Sequence, residues 1–278
     1  MKKNSLVMPV VKWVGGKRQL LSSLQALLPK RFSSYCEPFL GGGAMLFSLQ
    51  PKKAIVNDVN GDLILMYEVI RDKVDELITE LETHPNDAEH FYDVRDWDRN
   101  KKQYEALSRI QKAARLIYLN KTCYNGLFRV NSSGEFNSPF GHYKNPNIVN
   151  APALRAVSAF LQQADIAFFN CDYQEVLAGI TKGTFVYMDP PYDPVSSSAS
   201  FTGYAVGGFS REDQIRLREC CDDLTRRNVK FMLSNSATDF IREQYAEYNV
   251  TVVHAQRAIN SVATGRGFVD EVVVRNYE

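Results

Sequence analysis

"EPFLGGG" (37–43) runs directly into "AMLFSL" (44–49), and four residues later "AIVND" (54–58) begins. This reads as a strand, a glycine turn, a helix and a second strand. The triple glycine lets backbone approach a ligand with no Cβ in the way, and the helix behind it presents an N-terminus that favours polar or anionic groups. Asp58 ends the second strand 15 residues past Gly43, where α/β nucleotide folds hold ribose hydroxyls. The dinucleotide fingerprint GxGxxG is not met, because position 46 is Leu. Taken singly, each motif also fits an ordinary strand–turn–helix connection, with Asp58 capping the next helix.

Working outward, apolar β-branched runs recur at 184–189 (TFVYMD), 229–235 (VKFMLSN), 250–255 (VTVVHA) and 269–277 (VDEVVVRNY). Helical patterns lie between several of them. KRQLLSSLQALL (17–28) spaces leucines for one helix face, and SREDQIRLRECCDDLTRR (210–227) opens on Ser210 with Asp213 as a capping signal. Strands alternating with helices predict an α/β fold with a largely parallel sheet buried on both faces, and the last two runs predict an antiparallel end. Residues 60–150 interrupt this rhythm with one long helical pattern from Asp62 to Glu82 and another over 104–119, in which Tyr104, Leu107, Ile110, Ala114 and Ile117 line one face. A turn-rich stretch, NKTCYNGLFRVNSSGEFNSPFGHYKNP, follows and suits a hairpin with a long loop. The expected division is a catalytic domain over 1–60 and 151–278 and an insert domain over 61–150.

Composition narrows the classes. The chain has 278 residues, 45% hydrophobic and 23% charged, as in soluble globular proteins. No apolar run approaches a membrane span, and Lys12 breaks the short apolar stretch at the start before any cleavage site, so a cytoplasmic location is expected. Five scattered cysteines without CxxC and four histidines without ligand spacing point away from a disulfide framework and a metal site. The net charge of +1 conceals a contrast: 60–94 carries ten acids and two bases, whereas 95–147 carries ten bases and four acids. That basic segment is either a nucleic-acid footprint or a solvated helix face.

Two further motifs carry chemistry. In KWVGGK (12–17) an aromatic and a Gly-Gly lie between two lysines. Trp13 would cover an adenine or a sulfonium and Lys17 would reach a carboxylate or phosphate, or the two lysines are simply a surface pair around a tight turn. In FVYMDPPYDP (185–194) a buried strand ends on Asp189, Pro190, Pro191 and Tyr192. Proline fixes φ and withholds an N–H, so the acid and the free carbonyls sit on a rigid frame. Such a frame grips an –NH2 group, and Tyr192 adds a flat face for a planar ring.

D-P-P-Y resembles the signature of amino-group methyltransferases that use S-adenosylmethionine. With KWVGGK, EPFLGGG, Asp58 and DPPY in this order, essentially the whole chain resembles the Dam-type DNA adenine-N6 methyltransferases of the Dam and DpnM group. The resemblance implies a Rossmann-like, S-adenosylmethionine-dependent methyltransferase sheet with a helical target-recognition insert domain. It implies cofactor contacts at Trp13, Lys17, Glu37, Gly41, Gly43, Asp58 and Asp189, with Asp172 and Tyr173 as further candidates, and a catalytic pocket of Asp189, Pro190 and Tyr192. It implies double-stranded DNA as partner, with the target base flipped out. Lys12 and Arg129 would contact guanines, Tyr124 would wedge into the stack, and Leu127 and Pro139 would meet a thymine methyl. The implied target is a short palindrome, GATC being favoured, as in restriction–modification enzymes.

Two positions stand apart from that pattern. Val14 stands where relatives often carry Ala or Thr, and His142 replaces a basic residue in FGHYK; QRAINSVATGRG (256–267), by contrast, resembles a flexible family segment that touches DNA backbone, with Arg266 as a candidate contact. An NAD-dependent dehydrogenase would share the glycine loop and the ribose acid but leaves DPPY and the basic insert without a role. A non-catalytic DNA-binding module would use 95–147 but needs no cofactor pocket.

Overall fold

The computed structural model describes residues 3–13, 15, 17, 20–195, 208–256 and 268–278. Val14, Arg266 and the rest of 257–267 lie outside the described residues. Among the described residues, β1 (Ser34–Glu37), β2 (Lys53–Asn57), β3 (Asp165–Phe169), β4 (Thr184–Met188), β5 (Lys230–Ser236), β6 (Asn249–Gln256) and β7 (Phe268–Arg275) form one sheet in the order β3-β2-β1-β4-β5-β7-β6. The first five strands are parallel, and β7 runs antiparallel to both β5 and β6. This is the Rossmann-like sheet, with an antiparallel end, that the sequence predicts.

Burial on both faces explains why the central strands read as unbroken apolar runs. All five residues of β4 are buried. Tyr35, Phe185 and Tyr187 enter one hydrophobic cluster while Cys36, Val186 and Met188 enter the other, as the two-residue period of a strand requires. Helices α1 (Leu21–Ala26) and α2 (Ala44–Leu49) accompany the first strands. Between β2 and β3 come α3 (Gly61–Asp72), α4 (Val74–Glu82), α5 (Ala88–Asp96), α6 (Lys101–Ala106), α7 (Arg109–Thr122) and α8 (Ala151–Gln163). After β3 follow α9 (Tyr173–Ala178), α10 (Arg211–Arg226) and α11 (Asp239–Gln244). Ser210 and Asp213 form the expected capping box on α10.

Two helical readings need correction. The pattern from 62 to 82 is two helices, because Lys73 leaves helical geometry at φ −144° and ψ 40°. The Arg71 carbonyl there accepts hydrogen bonds from the Ser158 hydroxyl and the Gln162 amide of α8, in place of the N–H that a continuing helix would supply. The pattern over 104–119 also breaks: Leu107 is extended and Ser108 starts α7 with a capping box to Gln111, so Tyr104 belongs to a different helix from Ala114 and Ile117. The stretch after α7 does pair as a hairpin, through Cys123 with Phe140 and Val130 with Phe136. One hydrophobic cluster extends from β1, β2 and α2 through α3 into α4, α5 and α7, so the sheet and the inserted helices share a core.

Candidate active site

The strand order reverses between β1 and β4, and in open α/β sheets ligands bind beside the carboxyl ends of the strands at such a point. Four carboxylates stand at those ends: Glu37 on β1, Asp58 after β2, Asp172 after β3 and Asp189 after β4. Asn57, 1% exposed, ties three of the loops together. Its amide donates to the carbonyls of Pro38 and Cys171, and its oxygen accepts from the Cys171 N–H. No motif in the sequence marks Asn57.

The glycine loop is built tightly. Gly43 caps α2 at φ +67°, and a Cβ there would come within 2.9 Å of the Phe47 ring. Gly41, at φ +49°, lies under Trp13, whose Cδ1 would be 2.9 Å from an added Cβ. The Gly41 N–H donates to Asp58 Oδ2 at 2.8 Å, and the Tyr67 hydroxyl donates to the Gly41 carbonyl. Asp58 Oδ1 accepts from the Asn60 N–H, while Asn60 itself caps α3. Asp58 therefore stiffens the glycine loop and does not cap the next helix. Glu37 accepts from the Tyr35 hydroxyl at 2.8 Å and from the Leu46 N–H at 3.1 Å, so part of the α2 N-terminus is already met from within the chain. Burial drives the Glu37 carboxyl well above its usual range, with the Tyr35 hydrogen bond opposing.

Around DPPY the charges converge. Lys17, 5% exposed, places Nζ 3.0 Å from Asp189 Oδ1 and 2.8 Å from the Gly15 carbonyl. The same ammonium sits 4.4 Å from the centre of the Tyr192 ring. The Tyr192 hydroxyl donates to Glu271 Oε2 at 2.7 Å, and Glu271 is itself 4.0 Å from Lys17. Burial pushes Asp189 up to about 6, Lys17 restrains the rise, and the Glu271 charge adds to it. Glu271 comes from β7, 79 residues from Tyr192, and no local pattern marked it.

The rigid frame of DPPY has a second anchor at Asp193, 2% exposed. Its carboxylate accepts from Arg211 Nε at 3.0 Å and from the Thr238 hydroxyl at 2.7 Å. Its N–H donates to Asn235, and its carbonyl accepts from the Ser236 hydroxyl. Gln214 donates to the Pro191 carbonyl and accepts from Asn235. Prolines alone therefore do not hold the turn: the end of β5 and the start of α10 grip it from outside. Of the two remaining cofactor candidates, Asp172 caps α9 and pairs with Arg216 at 3.2 Å. Tyr173 is 5% exposed in the second core cluster, its hydroxyl accepting from Arg216.

The DNA-side candidates gather on the hairpin and the N-terminal segment. Tyr124 is 56% exposed and its N–H donates to the carbonyl of Pro139, which is also exposed. Lys12 is exposed, and both its backbone groups bond the Asn120 side chain. Leu127 is half-buried, and its carbonyl accepts from the Ser138 hydroxyl. Arg129 is half-buried, with Nε donating to Asn137 Oδ1 at 2.7 Å. Phe128 of the same hairpin stacks on Trp13 at 4.8 Å between centroids, so the hairpin touches the residue that covers the glycine loop. Among the described residues, no group of three or more His, Cys, Asp or Glu is arranged to hold a metal, and no helix is long and apolar enough to cross a membrane.

A Rossmann-like methyltransferase sheet with an acid–proline–proline–tyrosine turn at its switch point defines the class. The chain belongs to the D12 class N6 adenine-specific DNA methyltransferases, whose family model matches residues 13–259. It is 40% identical over 271 residues to Type II methyltransferase M1.LlaDCHI of Lactococcus lactis subsp. cremoris, covering 97% of this chain and 95% of that protein. It is 41% identical over 293 residues to Type II methyltransferase M.MjaIII of Methanocaldococcus jannaschii, covering 98% and 99%. It is 36% identical over 278 residues to the DNA adenine methylase of Escherichia coli K12, covering 98% and 95%.

Proposed function

We propose that this chain transfers a methyl group from S-adenosylmethionine to the N6 amine of adenine in double-stranded DNA, within a short palindrome for which GATC is the favoured word. The observation that carries the reading is Asp189, held by Lys17 on a proline frame at the end of β4 with Tyr192 beside it. The site's chemistry suits the cofactor. Gly41 and Gly43, both at positive φ, together with Gly42 keep the last three positions of the loop after β1 free of side chains. Asp58 stands next to apolar surface left open by Val59 and Phe169, 67% and 44% exposed, which suits a ribose and a purine ring. Trp13, Asp58 and the glycine loop would hold the group, with Lys17 and Asp189 at its reacting end.

When bound, S-adenosylmethionine supplies a methyl carbon activated by a positively charged sulfur. Adenine N6 is a weak nucleophile because its lone pair is delocalised into the ring. Asp189 and the Pro190 carbonyl accept hydrogen bonds from the amine and localise that lone pair. As the N–C bond forms and the methyl carbon's bond to sulfur breaks, its electron pair staying on the departing neutral sulfur, positive charge grows on N6, and the fixed carboxylate stabilises it where it develops. N6 then loses a proton, to Asp189 or to water. Tyr192 stacks on the extruded base and offsets part of the few kcal/mol that flipping costs. Lys12 and Arg129 read guanines, Tyr124 enters the gap in the stack, and Leu127 and Pro139 face a thymine methyl. Glu37, Asp172 and Tyr173 shape the cofactor side through the loops they brace. The names of the relatives, DNA adenine methylase and Type II methyltransferase, support DNA as the acceptor. The five free cysteines suit a reducing cytoplasm.

The test is to methylate unmodified plasmid with the purified chain and S-adenosylmethionine. One portion is digested with a nuclease blocked by adenine methylation in GATC, another with one that ignores it. Protection from the first alone is expected; cutting by both would remove GATC as the word.

A further inference from the structure

Arg129 does not stand by itself on its hairpin. The Asn137 N–H donates to the Arg129 carbonyl at 2.9 Å. The Arg129 guanidinium donates back through Nε to Asn137 Oδ1 at 2.7 Å and through Nη2 to the Asn137 carbonyl at 3.2 Å. These bonds use one edge of the fork and leave the Nη1 side for another acceptor. Where Arg129 points therefore depends on residue 137, and hence on its neighbour Phe136.

Phe136 is gripped by charged side chains from the inserted helices. Its N–H donates to Asp98 Oδ2 at 2.7 Å, and its carbonyl accepts from Arg99 Nη2 at 2.7 Å. Asp98 Oδ2 is held in turn by Arg115 Nη2 at 2.8 Å. Arg115 is 5% exposed and also donates to the carbonyls of Val94 and Arg95. Arg99 reaches Glu135 at 2.9 Å. The Phe136 ring is 2% exposed against Phe128, so apolar burial already secures this point of the hairpin. Largely buried ion pairs add little net stability, because desolvation offsets their attraction, but they fix geometry.

We propose that Asp98, assisted by Arg99 and Arg115, is a positioning residue for base discrimination: through Phe136 and Asn137 it sets the direction in which Arg129 presents its free guanidinium edge to DNA. This rests on the reading of the chain as a DNA methyltransferase in which Arg129 contacts a base.

The experiment compares kcat/KM on the preferred site with kcat/KM on three sets of single-base variants of that site. Arg129→Ala first identifies the base position that Arg129 governs. Asp98→Ala and Arg99→Gln should lose about tenfold in discrimination at that same position, with S-adenosylmethionine affinity and turnover on the preferred site changed less than about twofold. Asp98→Asn, which keeps an acceptor for the Phe136 N–H, should recover most of the loss. Asp98→Ala combined with Arg129→Ala should discriminate no worse than Arg129→Ala alone. Equal losses on preferred and altered sites, a loss at a different position, or unchanged discrimination would overturn the proposal. Arg99, 30% exposed along its side chain, carries the test by itself if Asp98→Ala fails to fold. A wild-type chain that methylates no DNA would overturn the underlying reading as well, and is distinguished by the absence of any preferred site.

Discussion

Asp189 is pulled in two directions, and the balance governs when it can work. Burial raises it to about 6 despite the ammonium of Lys17, yet accepting hydrogen bonds from an amine requires the carboxylate. The acid limb of kcat/KM reports the free enzyme's essential group, so it should fall away below about pH 6. Because the Glu271 charge contributes to the rise, Glu271→Gln should move that limb to lower pH; an upward shift in the profile would contradict this. The sequence offered Asp189, Pro190 and Tyr192 because they are contiguous on a motif. It offered neither Glu271 nor Asp193 as site residues: Glu271 meets Tyr192 only through the β5–β7 pairing, and Asp193 looks like one more turn residue until Asn235, Ser236 and Thr238 close around it. Asp193→Ala should cost about 1–3 kcal/mol in a denaturation experiment and lower kcat more than it raises KM, since the frame around Asp189 loosens.

At the level of elements, the strand–glycine–helix unit binds its own acid. Glu37 accepts from the Leu46 N–H in α2, and its carboxyl lies well above the usual range because it is buried. A folded-state value above the unfolded one means that the proton stabilises the fold at low pH, and this contribution is lost as pH rises through the folded value. Glu37→Gln removes that dependence. The Tm difference, variant minus wild type, should therefore grow more positive between pH 5 and pH 8; a difference that shrinks would contradict the assignment. Strands and the α10 cap were legible because their periodicity and capping chemistry are local. The break at Lys73 was not legible before folding, because it follows from α8 side chains taking the Arg71 carbonyl; the break at Leu107 carries a local Ser108–Gln111 capping signal that the apolar stripe running across it masked. The Phe128–Trp13 stack joins the hairpin to the glycine loop. Phe128→Leu should weaken S-adenosylmethionine binding by between about two- and tenfold in calorimetry, whereas no change would separate the two elements.

Over the whole molecule, the charge contrast in the sequence is softened by folding. Of the ten bases in 95–147, Arg95, Arg99, Arg109 and Arg115 are engaged by acids of the inserted helices and their hairpin. Setting Lys121 aside as well leaves five bases, and Lys12 adds one more. Counterion release then sets a slope of log Kobs against log salt no steeper than about −5; a markedly steeper slope would mean that the paired arginines are given up to phosphate. The proposed methyl transfer to an adenine amine gripped by Asp189 is followed with S-adenosylmethionine labelled in its methyl group. DNA from the reaction is digested to nucleosides, which are separated, for the wild type and for Asp189→Ala. Label is expected in N6-methyl-2′-deoxyadenosine for the wild type and none for the variant, which still binds DNA and cofactor. Label on protein or on another base, or undiminished label with Asp189→Ala, would contradict it.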